Sequence, residues 1–196
     1  MGRILFIADT HFGDSGISKY QAGIDDVKVR DDMLLSFWND NVHRSDDVYI
    51  LGDLISHAHK PFEWYLKRLP GHLHLIEGNH DYDLVRSRNA MKYFESVDQI
   101  KFVRDVDSDG HGAILCHYPI AEWNGYRKGV NHVYGHIHGQ PGSADVAQFM
   151  KDKSEKGFGV AINCGATPIP TPPMEFEEWL KRSIADNSGT DISTLL

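Results

Sequence analysis

The constraint that bears hardest on this chain is the shortness of its apolar runs and what stands at the end of each. Ile4-Leu5-Phe6-Ile7-Ala8 leads into Asp9-Thr10-His11, Val48 to Leu51 into Gly52-Asp53, and Leu73 to Ile76 towards Gly78-Asn79-His80-Asp81. Ala113 to Cys116 stops at His117, and His132 to Tyr134 at Gly135-His136-Ile137-His138. Continuous apolar runs of this length suit strands buried on both faces, the pattern of a largely parallel sheet. In open α/β architectures the residues beyond the carboxyl ends of such strands line one crevice. Asp9, His11, Asp53, Asn79, His117, His136 and His138 are therefore expected to converge, and the inferred product is a dinuclear metal centre.

Between these runs the spacing predicts helices. Val27, Met33, Leu34, Phe37, Trp38 and Val42 recur every three to four residues, so an amphipathic helix is expected within 25–43. Pro61 can open a second helix that Pro70-Gly71 closes. Strand, helix, strand, helix, strand over the first half calls for right-handed crossovers and a largely parallel first sheet. The second half carries shorter strand candidates, Ile100 to Val103, Ala113 to Cys116, His132 to Tyr134 and Phe158 to Ile162, with a turn-rich connection from Asp105 to Gly112. Antiparallel pairing is expected there. A last helix is expected over Glu175 to Ile184. One domain is read over 1–185, with 186–196 as a flexible tail.

The balance of 20 Lys and Arg against 28 Asp and Glu, net −8, argues against a broad basic surface for duplex DNA or an anionic membrane. Small phosphorylated substrates remain compatible, because bound divalent cations would reverse the local sign. The two cysteines, Cys116 and Cys164, form no CxxC pair, which points away from a disulfide framework or a thiolate zinc site and towards a reducing cytoplasm. The apolar start is too short for a signal sequence or a membrane span.

Each ligand candidate has an ordinary reading as well. Asp9, Asp53, Asn79 and Asp81 could simply begin turns, and a single histidine is more often a surface or core residue than a ligand, the reading given to His43, His57, His59, His72, His74, His111 and His132. Turn chemistry does not explain why histidine recurs after so many strands. Asp9-x-His11 and His136-x-His138 each set two donors on one side of an extended segment. A two-ion site also needs a carboxylate able to bridge, and Asp53 is the candidate. Oxygen and imidazole donors without thiolate suit Mn²⁺, Fe, Zn²⁺, Ni²⁺ or Mg²⁺, with manganese the first choice.

In order, Asp9-x-His11, Gly52-Asp53, Gly78-Asn79-His80-Asp81, His117 and Gly135-His136-x-His138 resemble the signature set of the calcineurin-like metallophosphoesterase superfamily. With Phe12-Gly13, Trp38-Asn39, Tyr118-Pro119 and Trp123-Asn124, the chain is similar to its compact, uncapped bacterial and phage members. The resemblance implies an α/β fold, a four-layer αββα sandwich of two mixed sheets flanked by helices. It implies one ion on Asp9, His11, Asp53 and His138, a second on Asp53, Asn79, His117 and His136, and His80 facing phosphate instead of metal. The chain departs from many relatives after Gly52-Asp53, where an acidic residue and an arginine are replaced by Leu54-Ile55-Ser56-His57-Ala58-His59. Asp81 is then the candidate to orient His80. Arg30 and Arg127 are candidates to reach phosphate, a surface ion pair being the alternative for each.

The expected activity is metal-dependent phosphoric ester hydrolysis, phosphodiesters before monoesters, by a hydroxide bridging two cations with His80 as general acid. The loops Phe12 to Tyr20 and Trp123 to Lys128 are expected to overhang the metals, with Tyr20, Trp123, Asn124, Tyr126 and Arg127 meeting a small phosphorylated substrate such as a nucleotide; packing against the core is the alternative for the aromatics. Competing functions are a protein-interaction module on the same scaffold with little turnover, and a nuclease, which the lack of Lys/Arg clusters disfavours.

Overall fold

The computed structural model describes residues 2–18, 24, 26–138, 141–165 and 171–188. In chain order these form β1 (Ile4–Ile7), α1 (Ser15–Ser18), α2 (Val27–Asn41), β2 (Asp47–Ile50), α3 (Phe62–Leu66), β3 (His72–Ile76), α4 (Tyr82–Arg86) and β4 (Phe94–Asp98). Then follow β5 (Ile100–Val103), β6 (Ala113–Cys116), β7 (Asn131–Tyr134), α5 (Ala144–Ser154), β8 (Ala161–Asn163) and α6 (Phe176–Ser188). Most of the expected tail, and Tyr20, lie outside the described residues. Among the described residues no helix is long and apolar enough to cross a membrane.

The strands make two four-stranded sheets, β1-β2-β3-β4 and β5-β6-β7-β8, flanked by helices as an αββα sandwich. Alternation along each strand builds the layers, since successive side chains take opposite faces. Leu5, Ile7, Val48, Ile50, Leu73 and Leu75 meet Leu34, Leu35, Trp38, Tyr65 and Leu66 of the first helical layer. Their neighbours Phe6, Ala8, Tyr49 and Leu51 meet Val103, Leu115, Val133 and Ile162 between the sheets. The outer face of the second sheet is closed by Trp123, Tyr126 and Met150 against Tyr134 and Ile137. Asp26 caps α2 by accepting the Lys28 and Val29 N–H groups. Trp179 Nε1 donates to Phe6 O at 2.8 Å and ties α6 to β1.

The first sheet is parallel throughout. In the second, only β5 and β6 pair antiparallel, across the turn-rich connection; β6, β7 and β8 are mutually parallel, correcting the expectation of antiparallel pairing. The difference matters for the site. Parallel neighbours end at the same edge, so the residues after β6 and β7 are adjacent, and Gly135 N donates to His117 O at 2.9 Å. An antiparallel pair would have sent them to opposite ends.

Candidate metal centre

Every strand that leads into a candidate ligand delivers it to this one edge. The segments after β1 and β2 are laced together: Asp9 N donates to Gly52 O, His11 N to Asp53 O and Phe12 N to Leu54 O. Donor atoms of Asp9, His11, Asp53 and His138 lie within 4.8 Å of one another, and so do those of Asp53, His117 and His136. Asp53 belongs to both groups. Asn79 joins the second, its Oδ1 3.1 Å from His117 Nε2.

The hydrogen bonds behind the rings settle which nitrogens face inward. His117 Nδ1 lies 2.7 Å from Leu51 O, a pure acceptor, so in the neutral ring, the form that binds metal, Nδ1 carries the proton and Nε2 keeps its lone pair. Ser56 Oγ donates to Asp14 Oδ2 at 2.8 Å and is thereby left to accept from His11 Nδ1 at 3.0 Å, again leaving Nε2 bare. Both bare nitrogens face Asp53 Oδ2, at 3.6 Å from His11 and 3.5 Å from His117. Lone pairs meeting without a proton repel, and a cation reverses the sign. Two donors on one ion at about 2.1 Å each stand roughly 3–3.5 Å apart, so the spacing fits a metal. Asp9 Oδ1, buried and without a hydrogen bond among the described residues, lies 3.5 Å from His138 Nε2.

Electrostatics point the same way. Burial, then the Asp53 charge, pushes the Asp9 carboxyl well above the usual carboxylate range. Burial holds the His11 imidazole down at about 2 and that of His138 at about 4, in each case with neighbouring histidines adding to the effect. Neutral imidazoles are the form that binds metal. The cluster thus disfavours further negative charge.

The backbone is held in costly shapes here. Asp9, His11, Asp53, His136 and His138 have left-handed φ of 55°, 45°, 54°, 72° and 39°, and His57 has 50°. Among the described residues only Asp105 is another non-glycine in this region. Such strain, of order 1–3 kcal/mol per residue, collects at functional sites. Two glycines make room: a Cβ on Gly52 would lie 2.4 Å from His117 Nδ1, and one on Gly135 2.5 Å from Asp9 Oδ2.

The remaining site candidates fall differently. His80 is exposed beside the cluster, its N–H bound to Asp53 Oδ1 at 2.8 Å and its ring edge-on to His11 at 5.2 Å. Asp81 does not orient the His80 ring; its buried carboxylate accepts the N–H groups of Asp53, Leu54 and Gly78. Arg30 is 1% exposed, too deep to reach a substrate, and donates to the carbonyls of Thr10 and His11, shaping the first ligand loop from behind. Trp123 and Tyr126 do not overhang the centre. They are buried under the second sheet, Trp123 Nε1 donating to Val130 O and Tyr126 Oη to Lys153 O, with the Lys153 ammonium 4.3 Å above the Tyr126 ring. Asn124 and Arg127 are exposed on the adjoining turn, and among the described residues no hydrogen bond joins either to the cluster.

Four residues of the site were not assigned from sequence. Asp14 and Ser56 form the relay behind His11. Tyr118 packs edge-on against His117 and His136, at 4.9 and 4.8 Å. His57 lies 6.3 Å from the His80 ring. Its place four residues after Asp53 is the available signal; the relay depends on tertiary contacts.

Fold and site together define a two-sheet α/β protein with a His/Asp cluster able to hold metal ions. The chain belongs to one family with the uncharacterized protein MJ1445 of Methanocaldococcus jannaschii, 32% identical over 184 residues that span 92% of this chain and 91% of that one. The gene 66 protein of Mycobacterium phage L5 is 29% identical over 163 residues, 70% of this chain and 78% of its own length. Among solved structures, the protein of unknown function AQ665 from Aquifex aeolicus superposes with a TM-score of 0.63 at 20% identity, covering 93% of this chain and 100% of that one, a likeness of fold. No family model matches the chain.

Proposed function

We propose that this protein is a metal-dependent phosphoric ester hydrolase of the calcineurin-like type, acting on phosphodiesters before monoesters. The observation that carries the reading is Asp53 Oδ2, faced from two sides by the bare Nε2 atoms of His11 and His117. A single carboxylate oxygen shared by two donor groups suits two divalent cations, manganese first and Fe, Zn²⁺, Ni²⁺ or Mg²⁺ as alternatives. Asp9, His11, Asp53 and His138 would hold one; Asp53, Asn79, His117 and His136 the other. When bound, the ions supply Lewis acidity toward the phosphoryl oxygens and an acidified water as nucleophile.

The chain's own residues do the rest. Ser56 and Leu51 O fix the ligand imidazoles from behind, as outer partners of metal sites do. Asp81 and Arg30 fix the backbone of the ligand loops. His80, exposed yet tethered to Asp53, is placed to give an imidazole N–H to the leaving oxygen, a contribution of roughly 10²–10⁴-fold. Asn79, His80 and His136 are exposed, so the face is open enough for both ester arms of a small diester, including a nucleotide. A cytoplasmic setting fits the two free, buried cysteines.

The test is chelator-stripped protein reloaded with each metal and assayed on bis-aryl phosphodiester, aryl phosphomonoester, 2′,3′-cyclic nucleotide and single-stranded oligonucleotide. Diester turnover with at least one metal, abolished in Asp53→Asn and slowed in metal-loaded His80→Ala, is the expected result. Metal uptake without turnover of any ester would leave the interaction-module reading, and oligonucleotide as the best substrate would make the protein a nuclease.

A further inference from the structure

We infer that His57 is a substrate-contacting residue, an imidazole donor standing beside His80 to receive a phosphoryl oxygen. This rests on the hydrolase reading and adds to it a residue that the metal cluster does not require.

The segment after Asp53 is clamped on both sides of His57. Before it, Ser56 donates its N–H to Phe12 O at 3.2 Å while its Oγ is held between Asp14 and His11. After it, Ala58 lies so close to Gly13 that a Cβ there would come within 2.6 Å of Ala58 Cα. His57 makes the turn between these clamps with a left-handed φ of 50°, a shape glycine adopts without cost. The imidazole is exposed, so burial does not offset the strain, and no hydrogen bond joins it to a described residue. The clamped turn calls for a left-handed residue, which glycine would supply without strain, so the exposed imidazole in its place points to function.

The ring's neighbours say what that use is. His57 stands edge-on to His80, centroids 6.3 Å apart at 69°, and His80 stands edge-on to His11 at 5.2 Å and 73°. Three imidazoles therefore form a row from a buried ligand candidate to solvent. His80 is tied to Asp53 through its backbone N–H, which sets the row's distance from the shared carboxylate. A phosphoryl group held by ions at the shared Asp53 cluster would have His80 on its flank, and His57, the next imidazole outward, would be placed to meet a non-bridging oxygen or an ester arm. An imidazole N–H is a suitable donor to either.

The experiment compares His57→Gly and His57→Asn with the parent after identical metal loading. Glycine relieves the strain at this φ, so His57→Gly keeps its metal content and its melting temperature stays the same or rises. Its kcat/KM for bis-aryl phosphodiester is expected to fall about 10- to 100-fold, the range for one hydrogen bond to a charged group, with inhibition by inorganic phosphate weakened similarly. Asparagine tolerates the same backbone and offers an N–H donor, so His57→Asn should recover part of the loss. Values for His57→Gly within twofold of the parent, for both ester and phosphate, would overturn the assignment while leaving the hydrolase reading intact. A metal-loaded parent that binds phosphate but turns over no ester would sink the hydrolase reading, and phosphate affinity alone would then decide for or against His57. A parent that takes up no metal sinks both.

Discussion

The Asp81 carboxylate accepts the backbone N–H of Asp53 at 2.8 Å, and through its other contacts it joins the loop after β2 to the loop after β3. It is fully buried, and burial pushes its carboxyl up from the usual range despite three hydrogen bonds that pull it down. Its work is structural support of the shared ligand. Asp81→Ala would leave the N–H groups of Gly78, Asp53 and Leu54 without their acceptor, at a cost of roughly 2–4 kcal/mol. Urea unfolding should show that loss, with metal content falling alongside it. A variant as stable as the parent and fully metallated would remove Asp81 from the support of the site.

Because the donors converge on shared points, metal binding should appear as stability. Addition of Mn²⁺ to stripped protein at about 100 times its dissociation constant should add about 2.7 kcal/mol and raise the melting temperature. Asp53→Asn removes the oxygen common to both donor groups and should abolish the rise. His136→Ala spares the first group and should keep roughly half of the bound metal by elemental analysis. No thermal shift with any of the five metals would exclude the metal centre.

The elements that carry the ligands were legible because each is an apolar run broken by Gly, Asp, Asn or His at its carboxyl end. The pairing of β6 with β7 was not, since the crossover between them holds only the short 3₁₀ turn Tyr126–Lys128 and no amphipathic helix to announce a parallel connection. Helix α5 was missed because only Met150 and Lys153 on it are buried, too few to set a period. The edge strand β4 alternates half-buried and exposed residues and pairs on one side alone. In the second sheet the strand expected over Phe158 to Ile162 begins only at Ala161, and Phe158 is exposed. Arg30 and Asp31 lie on the inner face of α2, where composition suggests a solvent-facing turn. The aromatic loop misled for the opposite reason: glycines at 125 and 129 look like an open loop, yet both adopt left-handed turns that fold Trp123 and Tyr126 inward.

That inward packing has its own consequence. Trp123→Ala should destabilise the protein by about 3–5 kcal/mol through the cavity it leaves, and Tyr126→Phe by about 1 kcal/mol through the hydrogen bond lost to Lys153 O. Neither side chain is expected to touch substrate, so kcat/KM of folded Tyr126→Phe should stay within twofold of the parent. A tenfold rise in KM at unchanged melting temperature would return the ring to the substrate.

His132 gives the fold a pH dependence separate from any metal. It is fully buried, its Nδ1 facing Ile114 O at 2.9 Å while its Nε2 accepts the Ile120 N–H at 3.0 Å. The neutral tautomer satisfies both contacts, and protonation would set an N–H against an N–H. Burial accordingly lowers its pKa from 6.5 to about 4. Because the folded value is depressed, the unfolded chain takes up the proton first as pH falls. Stability from keeping this ring neutral is complete above about pH 6.5 and is lost progressively down to about pH 4. His132→Gln keeps a donor and an acceptor but does not titrate. The stability gap between parent and variant should therefore narrow by roughly 2–3 kcal/mol from pH 7 to pH 4. Urea midpoints across that range measure it; a gap that stays constant would mean the buried ring is protonated in the folded protein as readily as in the unfolded chain.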